Sequence, residues 1–257
     1  MKRLLLGSSL VSLFLCFSVV AVLAQKNQTV EVNAETLYRE GEQLFMQEKC
    51  QKAIEVFDRI LSNDSRRSLI WYYKGLALTH LEQWGTAISA FDFALGADKD
   101  FIPAMAGKAI ALANLDRRGE SDSLLQETVA IEPKRDDAFG YFGRGVAYAK
   151  QGKYDLAVAD YTSAIKINPK NALFYDSRGT ALGTQGRLDL AIADFTSAIK
   201  INASYARSYG MRGLAYAKMG EYKSAKQDWE KAVELDPTGP TGHRAQNNLR
   251  TLRNLGY

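Results

Sequence analysis

Residues 138–171 read AFGYFGRGVAYAKQGKYDLAVADYTSAIKINPKN, and residues 172–205 read ALFYDSRGTALGTQGRLDLAIADFTSAIKINASY. Laid one over the other, the two segments align Gly145 with Gly179, Ala157 with Ala191 and Ala164 with Ala198, and the run SAIKIN recurs unchanged at 163–168 and 197–202. The following segment keeps the same columns at Gly213, Ala225 and Ala232. Three columns that share one period of 34 residues identify a structural repeat rather than a local motif.

Each repeat reads as two helices. In 138–171, Tyr141, Gly145 and Tyr148 fall at three- and four-residue steps, and Gln151-Gly152 breaks the run. A second helix carries Ala157, Tyr161, Ala164 and Ile165 on one face, with Asp160 and Lys166 elsewhere, and Pro169 ends it because proline cannot continue the hydrogen-bond ladder. Gly145, Ala157 and Ala164 let helix axes approach closely, while Tyr141, Tyr148 and Tyr161 fill the volume beside those contacts. A helix pair of this size cannot bury its apolar face alone, so the units must stack.

Toward the N-terminus Gly75 lies one period after Gly41, whereas Gly75 to Gly145 is two periods plus two residues, the extra pair falling near Asp136 and Asp137. Six units result, at 34–67, 68–101, 102–135, 138–171, 172–205 and 206–239. Beyond them Arg244, Ala245, Leu249, Leu252 and Leu255 recur at helical spacing, so 240–257 is read as a helix that caps the apolar face of the last unit. The N-terminal units keep the pattern less strictly, with Ile60 and Thr128 in place of the last small residue and Ser121 in place of an earlier one.

A 34-residue helix pair with these residues resembles the tetratricopeptide repeat, over about 34–239. The family's large first-helix residue appears as Leu37, Trp71, Met105, Tyr141, Tyr175 and Tyr209, and its small one as Gly41, Gly75, Ala109, Gly145, Gly179 and Gly213. The second-helix signature appears as Ala157, Tyr161, Ala164, again as Ala191, Phe195, Ala198 and as Ala225, Trp229, Ala232. The resemblance implies an all-α, right-handed α-solenoid whose first helices line a concave groove for an extended peptide or partner helix. Members that bind acidic C-terminal tails carry Lys and Asn four residues apart on a first helix. Here those places hold Tyr38 and Glu42, Tyr72 and Leu76, Ala106 and Ile110, Phe142 and Val146, Asp176 and Thr180, and Gly210 and Leu214, so no unit has that clamp. The inferred lining is apolar instead, with Tyr38, Phe45, Tyr72, Leu76, Ile110, Phe139, Phe142 and Val146, which favours an apolar peptide or amphipathic helix over a charged tail.

Residues 1–24 differ in kind. Lys2 and Arg3 precede an apolar run from Leu10 to Leu23, and Val22-Leu23-Ala24 offers small side chains where an export signal is cut. Cleavage after Ala24, leaving a linker at 25–33, is the preferred reading; an uncleaved anchor is the alternative, and both place the rest of the chain outside the cytoplasm. Lipid attachment at Cys16 is disfavoured by the bulky Leu15 before it. Without Lys2 and Arg3 the basic and acidic residues nearly balance, which gives no electrostatic case for nucleic acid.

Reactive chemistry is not signalled. His80 and His243 belong to no metal-ligand spacing and read as surface residues, and Cys50 reads as an apolar filler in the turn of the first unit. No glycine-rich phosphate loop is present, so neither a metal, a cofactor nor a catalytic set is expected. Arg144, Arg178 and Arg212 recur with Asp160, Asp194 and Asp228, which predicts internal bidentate pairing. The sequence therefore points to an exported protein-interaction scaffold, with a self-associating structural element or an accessory subunit of an envelope or secreted enzyme complex as the alternatives.

Overall fold

The computed structural model describes residues 34–256, and every regular element within them is helical. The expected export segment and the linker at 25–33 lie outside the described residues. Helix α1 spans 34–46 and pairs with α2 (Cys50–Leu61); then come α3 (Ser68–His80) with α4 (Trp84–Ala97), and α5 (Ile102–Asn114) with α6 (Arg118–Ala130). After a longer connection follow α7 (Ala138–Lys150) with α8 (Tyr154–Ile167), α9 (Ala172–Thr184) with α10 (Leu188–Ile201), and α11 (Ala206–Lys218) with α12 (Tyr222–Leu235). Helix α13 (Pro240–Asn254) packs on α12 and α11. None of the described helices is long and apolar enough to cross a membrane.

The turn inside every pair is closed in one way. The residue just past the first helix lies in the left-handed region, at Glu48, Glu82, Asp116, Gly152, Gly186 and Gly220. The amide after it reaches back to a carbonyl in the last helical turn: Lys49 to Leu44 at 2.9 Å, Gln83 to Leu78 at 2.9 Å, Arg117 to Leu112 at 3.0 Å, Lys153 to Tyr148 at 2.9 Å, Arg187 to Leu182 at 3.0 Å and Glu221 to Tyr216 at 2.9 Å. This is the Schellman closure, which satisfies carbonyls that a helix end otherwise leaves bare. Glycine takes the left-handed position in the last three pairs; Glu48, Glu82 and Asp116 take it in the first three against a steric cost.

Small-to-aromatic packing holds five of the six pairs together. A Cβ added at Gly41 would meet the Phe57 ring at 2.4 Å, at Gly75 the Phe91 ring at 2.5 Å, at Gly145 the Tyr161 ring at 2.8 Å and at Gly213 the Trp229 indole at 2.7 Å. The third pair differs: Leu125 stands where the others have an aromatic, and Gly107 of α5 lies against Phe91 of the preceding unit. Its polar replacements are satisfied locally, Ser121 donating to the Ala109 carbonyl at 2.8 Å and Thr128 to the Leu124 carbonyl at 2.6 Å.

The arginine column forms the internal pairs read from the sequence. Arg144, Arg178 and Arg212 each donate two bonds of 2.7–2.9 Å to Asp160, Asp194 and Asp228 of the same unit. Each also reaches back toward the preceding unit, to Glu132 at 2.5 Å, Thr162 at 3.0 Å and Thr196 at 3.0 Å. In the capping helix Ala245 and Leu252 are buried, but Leu255 lies past its end and is exposed, so it does not join the covering face.

Candidate groove

The first helices of all six pairs, together with α13, surround one concave cavity of about 720 Å³. Phe45, Tyr72, Leu76, Ile110, Phe142 and Val146 line it. Tyr38 and Phe139 do not. The Tyr38 ring meets Tyr73 edge-on at 5.6 Å, and Phe139 meets Tyr73 at 6.3 Å and Phe174 at 5.4 Å, so both belong to an aromatic seam joining α1, α3, α7 and α9. Their apolar character signals packing rather than contact with a ligand, a distinction that spacing alone does not carry.

The lining residues themselves divide. Tyr72 and Phe142 are buried, Phe142 stacking on Phe174 at 5.0 Å and tilting against Tyr161 at 5.7 Å, so they form the groove floor and the core at once. Phe142 therefore does not stand free of the core, and truncating it would act on the fold before the groove. Phe45, Leu76, Ile110 and Val146 are half-buried. Of these, Ile110 alone stands outside the buried clusters of the described residues.

The opposite wall was not evident from spacing. It consists of Leu173, Ser177, Thr180 and Thr184 on α9, Tyr205 and Arg207 at the start of α11, and Arg244 of α13. The hydroxyls of Thr180 and Thr184 donate to carbonyls one turn back, at 2.8 and 2.9 Å. Behind them Asp176 is fully buried and accepts from Arg207 and from the Ser208 hydroxyl at 2.8 Å. Burial pushes its carboxyl above the usual range against the pull of those two donors. Glu42 is likewise pushed up by burial and accepts from the Tyr73 hydroxyl at 2.9 Å. Two of the places where the family's clamp would stand thus hold carboxyls, Asp176 buried and Glu42 half-buried, where a terminal carboxylate would need a cation.

Three residues depart from their sequence reading. His80 is not a plain surface residue: it lines the groove, and its Nε2 lies 3.1 Å from Glu48 Oε2. Cys50 is the first residue of α2 rather than part of a turn, and burial followed by the nearby charges of Glu48 and Asp236 pushes its thiol up to about 12, which suits a filler and not a nucleophile. Glu48 is a further residue of this site, and helix periodicity does not single it out. The signal that could have found it is the column itself, in which acidic residues stand where later repeats require glycine. No group of three His, Cys, Asp or Glu side chains among the described residues could hold a metal ion.

Three family models of the tetratricopeptide repeat match this chain, over residues 38–100, over 138–171 with 206–238, and over 172–205. Among curated proteins no match was found. The similar solved structures include the first tetratricopeptide domain of Spaghetti (RPAP3) bound to an HSP90 peptide, 30% identical over 49% of this chain and 97% of that one, with a TM-score of 0.45. The second such domain of human RPAP3, in complex with an HSP70 peptide, is 31% identical over 45% of this chain and 94% of that one, at 0.43. YrrB, a tetratricopeptide protein with an unusual peptide-binding site, is 18% identical over 76% of this chain and 99% of that one, at 0.45.

Proposed function

The chain belongs to the tetratricopeptide repeat family, a family of protein-interaction scaffolds, and we propose that it works outside the cytoplasm by holding an apolar segment of a partner protein in its concave groove. One observation carries this reading. Phe45, Leu76, Ile110 and Val146, from four successive first helices, present half-buried hydrocarbon to a single cavity, a surface that gains free energy when a partner covers it. An extended peptide suits the cavity of about 720 Å³ better than a whole helix, whose cylinder is about 10–12 Å across. The hydroxyl and guanidinium groups of the opposite wall would bond the peptide backbone and fix its register.

Ile110→Ala tests the groove. Because Ile110 supports no buried cluster, the melting temperature should stay within a few degrees while affinity for a partner captured by crosslinking in the native host falls by about 1–3 kcal/mol. Unchanged affinity for both Ile110→Ala and Leu76→Ala would remove the groove from the function. Export rests on the basic-apolar-small pattern of residues 1–24, and N-terminal sequencing of the exported protein should begin at Gln25. A full-length soluble cytoplasmic protein would overturn it. Self-association is a second reading, favoured by Leu156 and Leu190, which are half exposed at the same repeat position; it predicts a mass that rises with concentration.

A further inference from the structure

The two ends of the array meet across the groove. Glu48, in the turn of the first unit, lies against Asp236, just past α12, and against Thr241, the second residue of α13. Glu48 and His80 on one side, with Pro240, Thr241 and Arg244 on the other, border the same cavity. The contact is built rather than incidental. The Glu48 backbone is left-handed at φ 59°, which only glycine adopts without cost, yet its side chain is 97% removed from solvent. His80 Nε2 holds Glu48 Oε2 at 3.1 Å, and the Asp236 carboxyl is fixed by the amides of Gly239 and Gly242, both at 2.9 Å. Glu48 Oε1 is buried and has no donor in bonding geometry. Two ionised carboxylates repel strongly where both side chains are this buried, and an Asp236 carrying a shared proton would supply the donor that Oε1 lacks.

We propose that Glu48, His80, Asp236 and Thr241 form a proton-held latch that joins the first repeat to the C-terminal cap and closes one end of the groove, so that entry to the site proposed above depends on pH. Its regulatory meaning rests on the groove reading; the closure itself does not. The groups facing the pair are His80 from α3, Cys50 from α2 and Thr241 from α13, with Arg244 of α13 on the wall of the same cavity and, at longer range, Asp176 of α9 with Tyr205 and Arg207. Burial and then Glu48 push the Asp236 carboxyl above the usual range. Burial would push Glu48 up as well, but His80 at 3.1 Å, with Asp236 and Thr241 beside it, holds it below that range.

The signs follow from linkage. The raised Asp236 value means closure is fully supported below the ordinary aspartate range and is lost as pH rises through the raised value. The lowered Glu48 value means closure is supported above the ordinary glutamate range and lost as pH falls through the lowered one. The latch is tightest between the lowered Glu48 value and the raised Asp236 value, where the two supports overlap, and loosens as pH rises past the latter.

The test uses the full chain without any partner, carrying spin labels introduced as unnatural amino acids at Lys49 and Arg250, both exposed. As pH rises from the acid into the neutral range the ratio of short to long label distances should fall, by up to about tenfold per pH unit through the raised Asp236 value. Glu48→Gln should stay closed throughout, because its amide donates to an ionised Asp236 and its carbonyl still accepts from His80. A wild-type distance that does not change with pH, or a folded Glu48→Gln variant that opens as the wild type does, overturns the latch. Should the variant fail to fold, the wild-type titration decides alone. Since no peptide is present, a rigid latch leaves the groove reading intact, and a groove that binds nothing leaves the latch intact.

Discussion

The first three repeats and the last three use one register of side chains to different effect. In the later half, arginine forks hold aspartates whose side chains are only 7–8% exposed, each fork locking the two helices of its own unit and touching the unit before it. In the earlier half the same column holds Lys74 and Lys108, and each makes one contact with the aspartate of the preceding unit, Asp58 at 2.5 Å and Asp92 at 2.6 Å. Those aspartates are 50–51% exposed. A planar guanidinium satisfies two partners at fixed angles, whereas an ammonium is a point charge that water screens readily. The halves also divide at the turns, where glycine gives way to Glu48, Glu82 and Asp116. Regularity thus serves stacking in the later half, and the earlier half gives up some of it where the groove and the latch are built.

Asp194→Ala should break this comparison open most widely. It leaves the Arg178 guanidinium, itself only 21% exposed, without its buried partner, and should cost about 3–5 kcal/mol in denaturant unfolding. Asp58→Ala, which removes the carboxylate partner of Lys74 in the earlier half, should cost at most about 1 kcal/mol. Equal losses would mean that the two columns are not different in kind.

The joint between the halves comes next. A Cβ at Gly143 would lie 2.6 Å from the Pro103 backbone nitrogen, and backbone cannot swing aside as a ring can. Gly143→Ala should lower stability by about 1–3 kcal/mol, visible as a drop in melting temperature. A neutral result would show that α5 and α7 separate at little cost.

The smallest effects belong to the turns. Gly186→Ala, at φ +78°, should cost about 1 kcal/mol, while Glu82→Gly, at φ 58°, should stabilise by up to about 1 kcal/mol because it removes left-handed strain from an exposed residue. Opposite signs at equivalent positions, measured on the same denaturation curves, would sharpen the contrast; matching signs would dissolve it.

Much of this molecule was legible in its sequence because a repeat reports on itself. Gly145 over Tyr161, and Arg144 with Asp160, are neighbours within one helix pair, and the same solution appears again at the next period. The apolar lining was legible only in part. Tyr38 and Phe139 share the chemistry of Phe45 and Ile110, and which of them turns into the groove depends on how one unit is rotated on the next.

By itself the sequence determined the helices, their pairing, the small-to-aromatic contacts and the arginine column, since each of these is decided within one period or between adjacent ones. Only the tertiary structure decided that α9, α11 and α13 form the second wall, that His80 bonds Glu48, and that Glu48 meets Asp236. Each unit adds a small rotation to the last, and the place where the first turn faces the capping helix is the sum of all of them. No spacing between two residues encodes such a sum.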